Sequence, residues 1–177
     1  MALPNRFGQV FLLPKTAAMR LVLVLAILCG LTLPAMARDQ TVPDPHMTPG
    51  ALNPAVTQSN IHSTICKPNW TKTIRPPASF TNKLKRQQLA EYGYGPKTDL
   101  HSLEEDHRVP LEAGGNPRDP KNLWPEPWVG PHGAHAKDKL ESAVKRDICS
   151  GKLTLEQGRA IFLGDFWKEY DRRFGAN

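Results

Sequence analysis

The stretch Glu104-Glu-Asp-His-Arg-Val-Pro-Leu-Glu-Ala-Gly-Gly-Asn-Pro-Arg-Asp-Pro-Lys-Asn-Leu-Trp124 gathers the side chains best suited to chemistry. Successive side chains of a strand alternate in direction, so an Asp followed directly by a His at a strand end sends a carboxylate and an imidazole in opposite senses. Asp106 can then hold a cation while His107 stays free to take a proton. Asn122, fifteen residues beyond His107, opens a returning strand. A hairpin would bring its amide near the imidazole and fix the ring's tautomer and orientation. His135, at the start of the next helix, is placed to supply a second ligand across from Asp106. Glu104 and Glu105 read as solvated charges flanking the site, Trp124 and Trp128 as packing residues, and His101 has no evident partner.

The elements that must position these residues can be read from pattern and punctuation. A helix is expected between Thr81 and Tyr92, capped by Thr81 or Asn82, with Leu84, Leu89 and Tyr92 on a partial apolar face and Gly93 at its end. An extended segment follows around Leu100 to Val109, closed by Pro110, then a loop marked by glycines and prolines, then a second extended piece, Asn122-Leu-Trp124, stopping at Pro125. From about Ala134 to Ile148, Ala136, Leu140, Val144 and Ile148 recur every four positions, the stripe of an amphipathic helix. Thr154 to Gln157 fits a capping box, and Ile161, Trp167, Tyr170 and Phe174 give one last helix its apolar side. The order helix, hairpin with a long loop, helix, helix predicts a small α+β domain.

With 177 residues, 40% hydrophobic and 23% charged, the chain has the composition of one globular domain; collagen, coiled-coil and multidomain readings are excluded. Its N-terminus has Arg6, Lys15 and Arg20 before an apolar run from Leu21 to Leu33 and then Ala35-Met-Ala37. That is the pattern of a cleaved secretory signal peptide over 1–37, its apolar core of about 13 residues being too short to span a membrane. Cleavage removes three basic residues and leaves 20 Lys and Arg against 17 Asp and Glu, a net charge of +3, with no stable membrane insertion expected afterwards. Between positions 67 and 97, Lys67, Lys72, Arg75, Lys83, Lys85, Arg86 and Lys97 are opposed only by Glu91. Such a block can neutralise phosphates, although its plainer reading is a solvated helix face. Cys29 leaves with the signal, so Cys66 and Cys149 remain as an even pair in a chain bound for an oxidising compartment, and a disulfide is expected. Residues 38–62, with Pro43, Pro45, Pro49 and Pro54 among small polar residues, read as a flexible spacer before a folded unit at 63–177.

Asp-His-x-x-Pro-Leu-x-x-Gly-Gly followed by Asp-x-x-Asn-Leu resembles the core of HNH endonucleases, the ββα-metal or His-Me finger group. Pro68-Asn-Trp-Thr, Arg75-Pro-Pro-Ala-Ser-Phe-Thr-Asn-Lys-Leu-Lys85, Asn122-Leu-Trp-Pro125 and Lys137-Asp-Lys-Leu-Glu141 look like small exported HNH-type proteins of bacteria, and the resemblance runs from about Cys66 to Tyr170. It implies an HNH-like core with an added N-terminal and C-terminal helix, and a periplasmic or secreted, monomeric enzyme hydrolysing DNA or RNA with little sequence preference. His107 would be the general base, Asn122 would hold the loop, and Asp106 would bind one divalent metal, Mg²⁺ first, with Mn²⁺, Zn²⁺ or Ni²⁺ as alternatives. The helix position that completes the metal site falls on His135, with His132, Asp138 or Lys137 as alternatives because Trp124-Pro-Glu-Pro-Trp-Val-Gly-Pro shifts the spacing. Lys137 in that position would favour a phosphate contact over metal coordination. Lys83, Lys85, Arg86, Arg108 and Lys137 are the expected phosphate contacts. Two rivals stand beside this reading: an HNH-like scaffold that binds nucleic acid or a partner without hydrolysis, and an envelope protein whose basic face lies on anionic lipid or polymer.

Overall fold

The computed structural model describes residues 39–175, and the expected signal peptide lies outside them. The elements are α1 (Trp70–Ile74), α2 (Ala78–Gln88), β1 (Leu103–His107), β2 (Leu123–Pro127), α3 (Ala134–Cys149), α4 (Leu155–Leu163) and α5 (Phe166–Phe174), with short 3₁₀ turns between them. One two-stranded antiparallel sheet, β1 against β2, is surrounded by helices, an α+β architecture. No helix among the described residues is long and apolar enough to cross a membrane.

The strands pair Asp106 with Trp124 and His107 with Leu123. β2 does not stop at Pro125 as expected but continues to Pro127. The Pro125 carbonyl accepts from Tyr94 Oη outside the pair, so its nitrogen also faces away from β1 and the missing N–H costs the ladder nothing. Gln88 Nε2 covers the next outward carbonyl, Leu123 O, at 3.0 Å, which protects the open edge. In the loop between the strands, Gly114 has φ 76°, and a Cβ on Gly115 would lie 1.8 Å from Val109 O. Only glycine fits the second position without moving the backbone.

Helix α3 buries the expected stripe of Ala136, Leu140, Val144 and Ile148 against Trp124, Phe162, Phe166 and Tyr170. The Thr154–Gln157 capping box opens α4, with both reciprocal bonds made. Two helix expectations need correction. α2 runs from Ala78 to Gln88 rather than from Thr81 to Tyr92, with Pro77 before it and its end five residues short of Gly93, and the single last helix is two, broken at Gly164 and restarted at Asp165, whose side chain accepts from Lys168 N. A competent cap inside an apolar pattern ends one helix and starts another.

Residues 39–62 are not a flexible spacer. Thr48, Val56 and Ile61 are buried, Thr48 Oγ1 lies 2.5 Å from Tyr92 Oη, and Gly50 N donates to Lys121 O. Leu52 forms a bridge with Gly115, and Asn116 N donates to Ala51 O. The segment runs through turns into a 3₁₀ helix, Gln58–Ser63, and the hairpin loop satisfies several of its amides and carbonyls. Folded structure therefore begins well before residue 63.

Cys66 and Cys149 form the expected disulfide, with Cα atoms 5.6 Å apart and a sequence separation of 83. Closing so long a loop restricts the unfolded chain, so reduction is expected to cost about 4 kcal/mol. Denaturant unfolding with and without reductant measures it; an unchanged midpoint with both thiols free would refute the expectation.

Candidate active site

The register sorts β1 into two faces. Leu103, Glu105 and His107 share one; Glu104 and Asp106 share the other with Trp124 and Glu126, their partners on β2. His107 is 2% exposed, and its Nε2 lies 3.2 Å from the carbonyl of Pro117. A carbonyl only accepts, so the neutral ring carries its proton on Nε2 and leaves the Nδ1 lone pair free. Burial lowers the imidazole pKa to about 4 although Asp106 and the Pro117 bond act to raise it. The ring is thus neutral and basic at Nδ1 above that pH.

Asn122 does not touch the imidazole. Its Oδ1 accepts from Val109 N at 2.9 Å, and its Nδ2 donates to Val109 O and Asn116 O at 3.0 Å each. It closes the loop onto β1 and acts on His107 through Asn116, the neighbour of Pro117. The ring's tautomer is set by the Pro117 carbonyl instead.

Opposite His107, Asp106 meets a lysine. Lys137 Nζ donates to Asp106 Oδ2 at 2.6 Å, to the backbone carbonyl of His107 at 2.8 Å, and to Glu141 Oε1. Its side chain is 0% exposed. Burial would lower its pKa, but the Asp106 and Glu141 carboxylates outweigh that and hold it above the usual lysine value. Asp106, which burial would raise, is brought down to about 2 by Lys137 and by a bond from Glu126. Glu126 is fully buried and neither of its oxygens finds a donor as a carboxylate; burial pushes its pKa far up, which leaves a protonated acid able to donate to Asp106. Burial likewise raises Glu141 to about 8 against the pull of Lys137.

The metal set implied by the HNH resemblance does not assemble. His135 is exposed, with its ring 5.2 Å from that of Trp128. Helical residues two apart lie about 200° apart around the axis, so with Lys137 facing the sheet His135 must face outward. His132 stacks on Trp167 at 4.5 Å and approaches Asp171, and Asp138 is exposed. Among the described residues no group of three or more His, Cys, Asp or Glu side chains is arranged to hold a metal ion. The donors present do not fit a divalent cation at Asp106.

A cavity of about 370 Å³ runs along β1, walled by His107, Glu105, Glu104, Lys85, Arg75, His101 and Trp128. Glu105 and Glu104 are not solvated flanking charges. Glu105 is 6% exposed, neither of its oxygens has a hydrogen-bond partner, and burial lifts its pKa to about 8 although Lys85 pulls it down. Burial and nearby Asp106 lift Glu104 to about 8 as well.

Three expected phosphate contacts are committed elsewhere. Lys85 Nζ donates to Leu100 O and Leu103 O, Lys137 is enclosed, and Arg108 donates to Thr48 O and Leu163 O at 2.8 Å and to Phe162 O at 3.4 Å. Lys83 and Arg86 remain exposed on α2. Arg75, exposed at the cavity wall, is the cation the motif reading passed over, and Glu105 was findable by counting two back from His107 along the strand. Arg108→Ala, which strips a buried cation from three carbonyls, is expected to cost about 3 kcal/mol and leave nucleic-acid affinity unchanged. Denaturation and a binding titration check this; weaker binding at full stability would contradict it. No family model, curated protein or solved structure matches this chain.

Proposed function

We propose that the protein is an exported phosphodiesterase acting on DNA or RNA, built on an HNH-like β1–loop–β2–α3 core. The observation that carries the reading is a neutral, buried imidazole with a free Nδ1 in the same cavity as Glu105 and Arg75. His107 Nδ1 takes a proton from water as the water oxygen bonds to phosphorus. The bond from phosphorus to the leaving oxygen breaks, and the protonated Glu105 gives that oxygen its proton. Two groups on one strand face, with pKa values of about 4 and about 8, supply a base and an acid at the same pH. Arg75 binds the phosphate, and Lys83 and Arg86 extend the basic surface. The disulfide is in keeping with an oxidising compartment.

Incubation of the oxidised protein with supercoiled plasmid and with single-stranded RNA, over a series of salt concentrations, tests this. Hydrolysis should weaken as salt rises, and Arg75→Ala should reduce the slope of log affinity against log salt by about one. Binding without cleavage of either polymer would reject the enzyme in favour of a nucleic-acid-binding module.

A further inference from the structure

We propose that the Lys137 ammonium is the resident cation of this site, standing where the HNH resemblance reserves a place for a divalent metal. An ammonium has three N–H bonds, and all three are spent, on Asp106 Oδ2, the His107 carbonyl and Glu141 Oε1. No donor remains for a substrate, and no solvent reaches the side chain. Three acidic side chains, Asp106, Glu126 and Glu141, surround the one charge, and the ring of Trp124 lies 5.3 Å from Nζ. Oxygen donors converging on a buried positive centre are what a hard divalent cation also requires. Lys137 supplies that centre covalently, from the helix that would otherwise carry a ligand.

Lys137 is a positioning residue, because it reaches His107 through the backbone carbonyl and through Asp106. Two consequences separate it from a metal site. The native protein has no saturable divalent site at Asp106. Shortening Lys137 leaves an acid-lined hole in which Asp106, Glu126 and Glu141 can take a divalent ion. This part is independent of the phosphodiesterase reading; the expectation that hydrolysis resists chelation rests on it.

The test is Mn²⁺ binding to the oxidised protein, followed by electron paramagnetic resonance and by melting temperature, for wild type, Asp106→Asn, Lys137→Ala and Lys137→Ala with Asp106→Asn. Wild type should show neither saturable binding nor a melting shift. Lys137→Ala should gain one Mn²⁺ that the added Asp106→Asn removes. Stoichiometric binding by wild type that Asp106→Asn abolishes overturns the proposal, and it does so even if Lys137→Ala fails to fold. A folded Lys137→Ala that binds none overturns the latent site. Where hydrolysis is seen, excess chelator should change the wild-type rate by less than about twofold, and its loss would overturn the proposal. If no hydrolysis is found, the proposed function fails while the binding measurements still decide this inference.

Discussion

His107→Ala is expected to lower phosphodiester hydrolysis by about 100- to 10,000-fold, the range associated with one general base. The protein should stay folded, since the ring makes one hydrogen bond and borders a cavity that already exists. Its cost in stability should be about 1 kcal/mol, the worth of such a bond. The pH dependence of kcat/KM carries more information than the loss itself. His107 works unprotonated, so the rate should fall as pH drops through about 4. Glu105 works protonated, so the rate should also fall as pH rises through about 8. Glu105→Gln should remove the upper limb and leave the lower one. A His107→Ala protein with native activity, or a profile without the alkaline limb, would sink the assigned roles.

The second large effect concerns stability. Lys137→Met keeps the length of the side chain but removes the charge between Asp106 and Glu141. Breaking a buried pair by deleting one partner leaves an uncompensated charge, at a cost of about 3–5 kcal/mol. Adding Asp106→Asn should return much of that loss, because it removes the stranded carboxylate. The pair also sets an acid limit. Asp106 has a folded pKa of about 2 against an ordinary 3.8, so its contribution is complete above 3.8 and disappears as pH falls through about 2. In Lys137→Met burial is no longer opposed by the ammonium and lifts the Asp106 pKa above its ordinary value, so the sign reverses and stability should fall as pH rises through the carboxylate range. Chemical denaturation at several pH values measures both effects, and a loss below about 1 kcal/mol would show that the buried pair contributes little.

Local pattern alone was enough for several features. The stripe Ala136, Leu140, Val144, Ile148 predicted α3 because burial at helical spacing is a local regularity, and Thr154 with Gln157 predicted a cap because the motif closes on itself within four residues. Two cysteines in a chain expected to be exported left one pairing, which the fold makes. Strand alternation was legible too, and it separates Asp106 from His107. Residues 39–62 misled because low hydrophobicity and proline content describe composition, whereas Thr48, Val56 and Ile61 are held by partners more than fifty residues away or on the core.

The site divides along the same line. From the sequence alone came the identities of Asp106, His107 and Asn122, the α+β order of elements and the basic character of the segment carrying Arg75, all functions of residue type and short-range spacing. Tertiary structure decided which charges are free. A helix turns about 100° per residue, so a shift of two positions puts Lys137 rather than His135 against Asp106. Whether a Lys or Arg meets solvent, like Arg75, or backbone carbonyls, like Lys85 and Arg108, depends on what the rest of the chain packs around it. Burial is also what drives His107 and Glu105 apart in pKa, and no window of sequence contains the walls that bury them.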